Sequence, residues 1–95
     1  MPTVELTRKA KTQIDELRRV DVRKHAKVLR ALDRLAADPR HPGLQSHDIE
    51  SFSGPNGEKL YESYVENHCP SAWRILWFYG PEDGKLTVAS INRHP

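Results

Sequence analysis

Apolar residues recur at helical spacing as far as Ala37 and near every second position from Leu44 onward. Residues 3–6 alternate polar and apolar and predict a short first strand. Ala10, Ile14 and Leu17 then share one face of a helix over 8–19, with Thr7 placed to cap it. Arg18 and Arg19 stand in its last turn, where cations meet the negative end of the helix dipole. A second helix is predicted over 22–37, capped by Asp21. Val22, Ala26, Leu29, Leu32 and Ala36 form its stripe, Val28 and Leu35 widen it, and Arg23, Lys24, Lys27, Arg30 and Arg34 lie outside. The helix must stop at Asp38-Pro39-Arg40-His41-Pro42-Gly43, since proline cannot continue it.

Strands are predicted at 44–49, 60–65, 72–79 and 86–91, in segments rich in aromatic and β-branched residues. Turn-forming stretches separate them at 53–57, 67–71 and 80–84, each short enough for antiparallel neighbours. The expected fold class is α+β: a short N-terminal strand, two helices, then a three- to four-stranded antiparallel sheet. Strand 72–79 is internal, and the sheet packs on the helix over 22–37.

A chain of 95 residues supports one core, so a single domain is expected over 1–95. With 37% hydrophobic and 29% charged residues it suits a globular protein, and no apolar run approaches the roughly 20 residues of a membrane helix. The opening MPTVELTRKAK has no secretory pattern and Cys69 is the single cysteine, which together predict a cytoplasmic protein without a disulfide. Charge is uneven. Residues 1–40 carry 11 Lys and Arg against 6 Asp and Glu, and residues 41–95 carry 4 against 7, so a formal net charge of +2 conceals halves of +5 and −3. A basic helical half suits an anionic partner such as nucleic acid, or simply solvated helix faces.

Arg74 breaks the pattern of its strand, which is apolar on both faces, and a guanidinium there needs a partner. It either binds a phosphate at a concave polar surface or pairs with Glu62 or Glu66 on the neighbouring strand. Trp73 and Trp77, four apart on one strand face, read as core ahead of a nucleobase platform. His41, His47, His68 and Cys69 lack the spacing of a zinc site, so no metal is expected.

The order HPGLQSH, KLYESYV, SAWRILWFYG and a final NRHP resembles the RelE/ParE superfamily of bacterial toxins from toxin–antitoxin pairs. The resemblance implies a strand, two helices and a twisted antiparallel sheet. It also implies ribosome-dependent cleavage of messenger RNA without a cofactor, and an antitoxin that blocks the toxin in a hetero-oligomer. Arg74 matches the arginine of the central strand, and His94 the C-terminal histidine of YoeB-like members. This chain departs from those members in ending at Pro95, in having Pro42 and Gly43 where they carry a carboxylate, and in following Glu62 with Ser63 and Tyr64.

Cleavage by a neighbouring 2′-hydroxyl needs a base, an acid for the leaving 5′-oxygen and a cation for the charged transition state. Arg74 is assigned as the cation, His94 as the acid, and His47 or Glu62 as the base. Lys59 and Arg93 are expected to hold RNA phosphates and Tyr61 to stack on a base. Two alternatives stay open: a ParE-like DNA gyrase inhibitor without nuclease chemistry, and a degenerate RNA-binding module. His94 also reads as a frayed terminal residue, and His47 as a surface histidine.

Overall fold

The computed structural model describes residues 2–66 and 72–93. Strand β1 (Thr3–Leu6) leads into helices α1 (Arg8–Val20) and α2 (Val22–Ala37). A short 3-10 turn (Pro42–Leu44) precedes strands β2 (His47–Ser53), β3 (Lys59–Tyr64), β4 (Trp73–Tyr79) and β5 (Lys85–Arg93). The strands form one sheet in the order β1-β5-β4-β3-β2, so β4 is central. The antiparallel β2 to β5 segment and internal 72–79 strand follow the expectation. The sheet nevertheless has five strands and is mixed, because β1 pairs with β5 in parallel, Thr3 opposite Lys85 and Leu6 opposite Val88. The two intervening helices carry the chain across one face, which lets the first and last strands run the same way.

Both caps form as expected: the Thr7 hydroxyl accepts from Ala10 N–H at 3.2 Å and the Asp21 carboxylate from Lys24 N–H at 3.0 Å. In α1 the buried residues are Ala10, Ile14 and Leu17. The expected stripe of α2 needs correction. Val28, Ala31 and Leu35 are buried, whereas Leu29 is 43% and Val22 70% exposed. At about 100° per residue, Val28, Ala31 and Leu35 fall within one narrow arc, and Leu29 lies about 130° from its centre. Leu32 sits at the edge of that arc and is partly buried against the core.

The strand expected at 44–49 also starts later. Pro42 and Gly43 shape the 3-10 turn, Leu44 is buried beneath it, and Gln45 takes a left-handed φ of 49°. Extended geometry therefore resumes only at His47.

The core lies between the helices and one sheet face, where Ile75, Trp77, Leu86, Val88 and Ile91 meet Ile14, Leu17, Val28 and Leu35. Leu86 and Val88 would point opposite to Ile91 in a regular strand. Pairing steps from Leu76–Ser90 to Trp77–Val88, so Ala89 is the extra residue of a bulge and all three face the helices. Thr7 donates its hydroxyl to the carbonyl of Ala89 at 2.8 Å, tying the start of α1 to this bulge.

Trp77 is fully buried, and its Nε1–H donates to Ser63 Oγ at 2.8 Å. Ser63 and Ser46 hydroxyls lie 2.7 Å apart, and Ser46 donates to the Pro39 carbonyl at 2.7 Å. Ser63 is thus the donor to Ser46, and the relay leaves no buried hydroxyl unpaired.

Leu35→Ala should destabilise the protein by about 2–5 kcal/mol, while Leu29→Ala should change stability by less than about 0.5 kcal/mol. Urea denaturation of the two variants checks the assignment, and equal effects would contradict it.

Candidate active site

Alternation along β3 and β4 divides the aromatic and polar residues between two faces. Tyr64 pairs with Arg74 and Glu62 with Leu76, while Arg74 faces Asn92 on β5 and His47 on β2 faces Glu62. These side chains converge on the face turned away from the helices. Glu62 Oε1 accepts from Arg74 Nη1 at 2.6 Å and lies 3.2 Å from His47 Nε2. The Arg74 guanidinium stands over the Tyr64 ring, 4.6 Å from its centroid, and the His47 ring is 5.9 Å from the same tyrosine.

Both members of the ion pair are largely buried, with side-chain exposures of 18% and 14%. Arg74 Nε is buried without a partner among the described residues. Glu62 therefore neutralises the charge without using every donor of the fork. His47 Nδ1 meets the carbonyl of Gln45 at 3.0 Å, so both ring nitrogens face oxygen atoms. Beside the cluster runs a cavity of about 430 Å³, walled by Ile49, Phe52, Leu60 and Leu76 and bordered by Asn92 and Arg93. Charged groups at one end of an apolar trough can hold a phosphate while a base or ribose lies along the wall.

No protein-family model and no curated protein matches the chain. Among solved structures it is similar to a YoeB/ParE toxin from Agrobacterium tumefaciens, with a TM-score of 0.73, 12% identity and full coverage of both chains. It is also similar to the YoeB dimer of Staphylococcus aureus, at 0.69 and 12% identity over 99% of this chain and 98% of that one. An archaeal RelE–RelB complex from Pyrococcus horikoshii aligns at 0.69 and 12% identity, over 97% of this chain and 93% of that one.

The chain has the RelE/YoeB toxin fold.

Within this toxin fold the structure gathers Arg74, Glu62 and His47, and sets Arg93 at the border of the same cavity. Of the two ion-pair partners expected for Arg74, Glu62 is the one used; Glu66 binds Lys24 at 2.5 Å and Lys27 at 3.1 Å. Two expected RNA contacts are not at the cluster. Tyr61 faces the helices, stacked on Trp77 at 4.7 Å with Arg40 5.4 Å from its ring, because it pairs with Trp77 and shares that strand face. Lys59, five residues before Tyr64, is about 17 Å from it along the strand and pairs with Asp48 at 3.7 Å. His94 lies outside the described residues, as do His68 and Cys69. Among the described residues no group of three His, Cys, Asp or Glu side chains is placed to hold a metal, and no helix is long and apolar enough to cross a membrane.

Tyr64 is the aromatic residue that sequence reasoning missed. The signal was its spacing: three residues from Tyr61 in a strand means the opposite face, the one that Arg74 occupies.

Because Glu62 is buried against it, Arg74→Ala should lower stability by about 2–4 kcal/mol. Removing both charges, as Arg74→Met with Glu62→Leu, should recover most of that loss. Thermal denaturation of the single and double variants measures this, and additive losses would contradict a coupled pair.

Proposed function

We propose that this protein is the toxin of a toxin–antitoxin pair and a ribosome-dependent endoribonuclease that cuts messenger RNA by 2′-hydroxyl attack. The observation that carries this reading is the Arg74–Glu62–His47 cluster beside an apolar cavity, on the central strand of a toxin fold. The scissile phosphate meets the Arg74 guanidinium, whose Nε–H has no partner among the described residues, and gains the cation as charge builds in the transition state. His47 or Glu62, 3.2 Å apart beside Arg74, receives the proton of the attacking 2′-hydroxyl. The new bond joins the 2′-oxygen to phosphorus as the bond to the 5′-oxygen breaks, giving a 2′,3′-cyclic phosphate and a 5′-hydroxyl. His94 supplies the proton to that leaving oxygen. Tyr64, stacked on Arg74, holds the guanidinium plane and offers its edge to a base.

An antitoxin partner belongs to the same reading, supported by the RelE–RelB complex among the similar structures. It places the protein in the cytoplasm with ribosomes. One observation favours a second reading, a gyrase-directed toxin without nuclease chemistry: the charge of Arg74 is already matched by Glu62 inside the protein.

Arg74→Lys separates the two. Lysine keeps the charge beside Glu62 but loses the planar fork, so the fold should persist while cleavage falls by about 10²- to 10³-fold. Primer extension on ribosome-bound transcripts reads the cuts, beside a gyrase supercoiling assay. Cleavage by the purified toxin should also be suppressed by the product of an adjacent reading frame. Intact transcripts with active wild-type protein would refute the nuclease, and gyrase inhibition in their place would establish the second reading.

A further inference from the structure

On the helical side, α2 and the end of β3 enclose a second cavity of about 290 Å³, lined by Lys27, Arg30, Arg34, Tyr64, Val65 and Glu66. Lys27, Arg30 and Arg34 stand at i, i+3 and i+7, so they share one side of the helix, stepping about 4.5 and 6 Å along its axis. Arg30 and Arg34 are exposed and form no ion pair among the described residues. The acid in the cavity, Glu66, is already engaged: the hydrogen bond from Lys24, then that from Lys27, holds its carboxyl below the usual glutamate range. It therefore offsets Lys24 and Lys27 and leaves the two arginines uncompensated. Glu66 Oε2 is buried with no hydrogen-bond donor among the described residues, which leaves an acceptor for a hydroxyl arriving with a ligand. Tyr64 is common to this cavity and to the Arg74 cluster.

We propose that this cleft binds the phosphodiester backbone of the RNA strand that Arg74 acts on, with Arg30 and Arg34 each holding a phosphate and Glu66 accepting a ribose hydroxyl. The proposal rests on the RNA-cleaving reading. It gives the basic half of the chain a defined role, because the strand then passes Tyr64 from the open face of the sheet onto α2. Neutral or acidic protein segments could use the arginines, but RNA supplies both regularly spaced anions and a hydroxyl donor for Glu66.

Fluorescence anisotropy with a short, labelled, single-stranded RNA, 2′-O-methylated only at the nucleotide before the scissile phosphate, tests the cleft when titrated over a series of salt concentrations. Each phosphate contact on a single strand contributes a slope of about 0.7 in log affinity against log salt. Arg30→Gln with Arg34→Gln should reduce that slope by about 1.4 and weaken binding roughly tenfold at low salt. Arg30→Lys with Arg34→Lys should keep the slope, which shows that charge and not folding is at issue. An unchanged slope in the glutamine variant, or no RNA affinity in the wild type, would overturn the proposal. So would loss of antitoxin binding with RNA binding intact, since the cleft would then be a protein interface. Ribosome-dependent cleavage by the wild type, scored separately, reports on the parent reading: a lowered slope without any cleavage would sustain the cleft and refute the nuclease.

Discussion

A guanidinium on the central strand of a five-stranded sheet must be neutralised where it stands, and the Arg74–Glu62 pair meets that requirement. Removing either charge strands the other in a largely dehydrated site. The pairing consequently fixes more than itself. It holds β3 and β4 in the register that sets Tyr64 opposite Arg74, and it presents a carboxylate oxygen to His47 across β2. An ion pair that is costly as a structural device gains a reason if its cation is also to meet a phosphate, because the carboxylate keeps the fork aimed until substrate arrives.

The opposite face supplies rigidity. Trp77 fills the core directly beneath the site strand, and its indole N–H begins the relay through Ser63 and Ser46 to Pro39. That relay joins β4, β3, the approach to β2 and the loop leaving α2 without an unpaired polar group. On the other flank, Gln13 accepts from Ile91 N–H at 2.7 Å and donates to Asn92 Oδ1 at 2.9 Å, so α1 grips β5 where it borders the cavity. Both arrangements anchor the strands that carry Arg74 and Asn92 to the helix layer.

Much of this is legible in the sequence because local rules and tertiary packing agree there. Thr7 and Asp21 cap as their side chains dictate, the 72–79 segment is central because both its faces are apolar, and Arg74 declares itself by interrupting them. The misreadings have local causes. The apolar residues of α2 outnumber those the sheet can cover, so periodicity alone assigns Leu29 to the core when Val28, Ala31 and Leu35 fill it. The faces taken by residues past 88 could not be read from the sequence at all, because they depend on a bulge at Ala89 to which Thr7 is hydrogen-bonded from far along the chain. Site membership follows the same rule: Arg74 with Glu62 is foreseeable from strand adjacency, and the odd spacing of Tyr61 and Tyr64 puts them on opposite faces, but the register decides that Tyr64 is the one beside Arg74.

What unites these features is a single expectation about Arg74, that its charge is lent to Glu62 in the free protein and taken by an RNA phosphate in the complex. Its Nε–H, buried and unpartnered among the described residues, is a direct reporter. Isotope-edited NMR of the arginine Nε–Hε groups, during titration with single-stranded RNA blocked at the 2′-position of the cleavage site, follows that one proton. The Arg74 resonance is expected to move and to saturate with the RNA. A resonance that stays in place while the protein becomes fully RNA-bound would show an arginine serving only its internal pair.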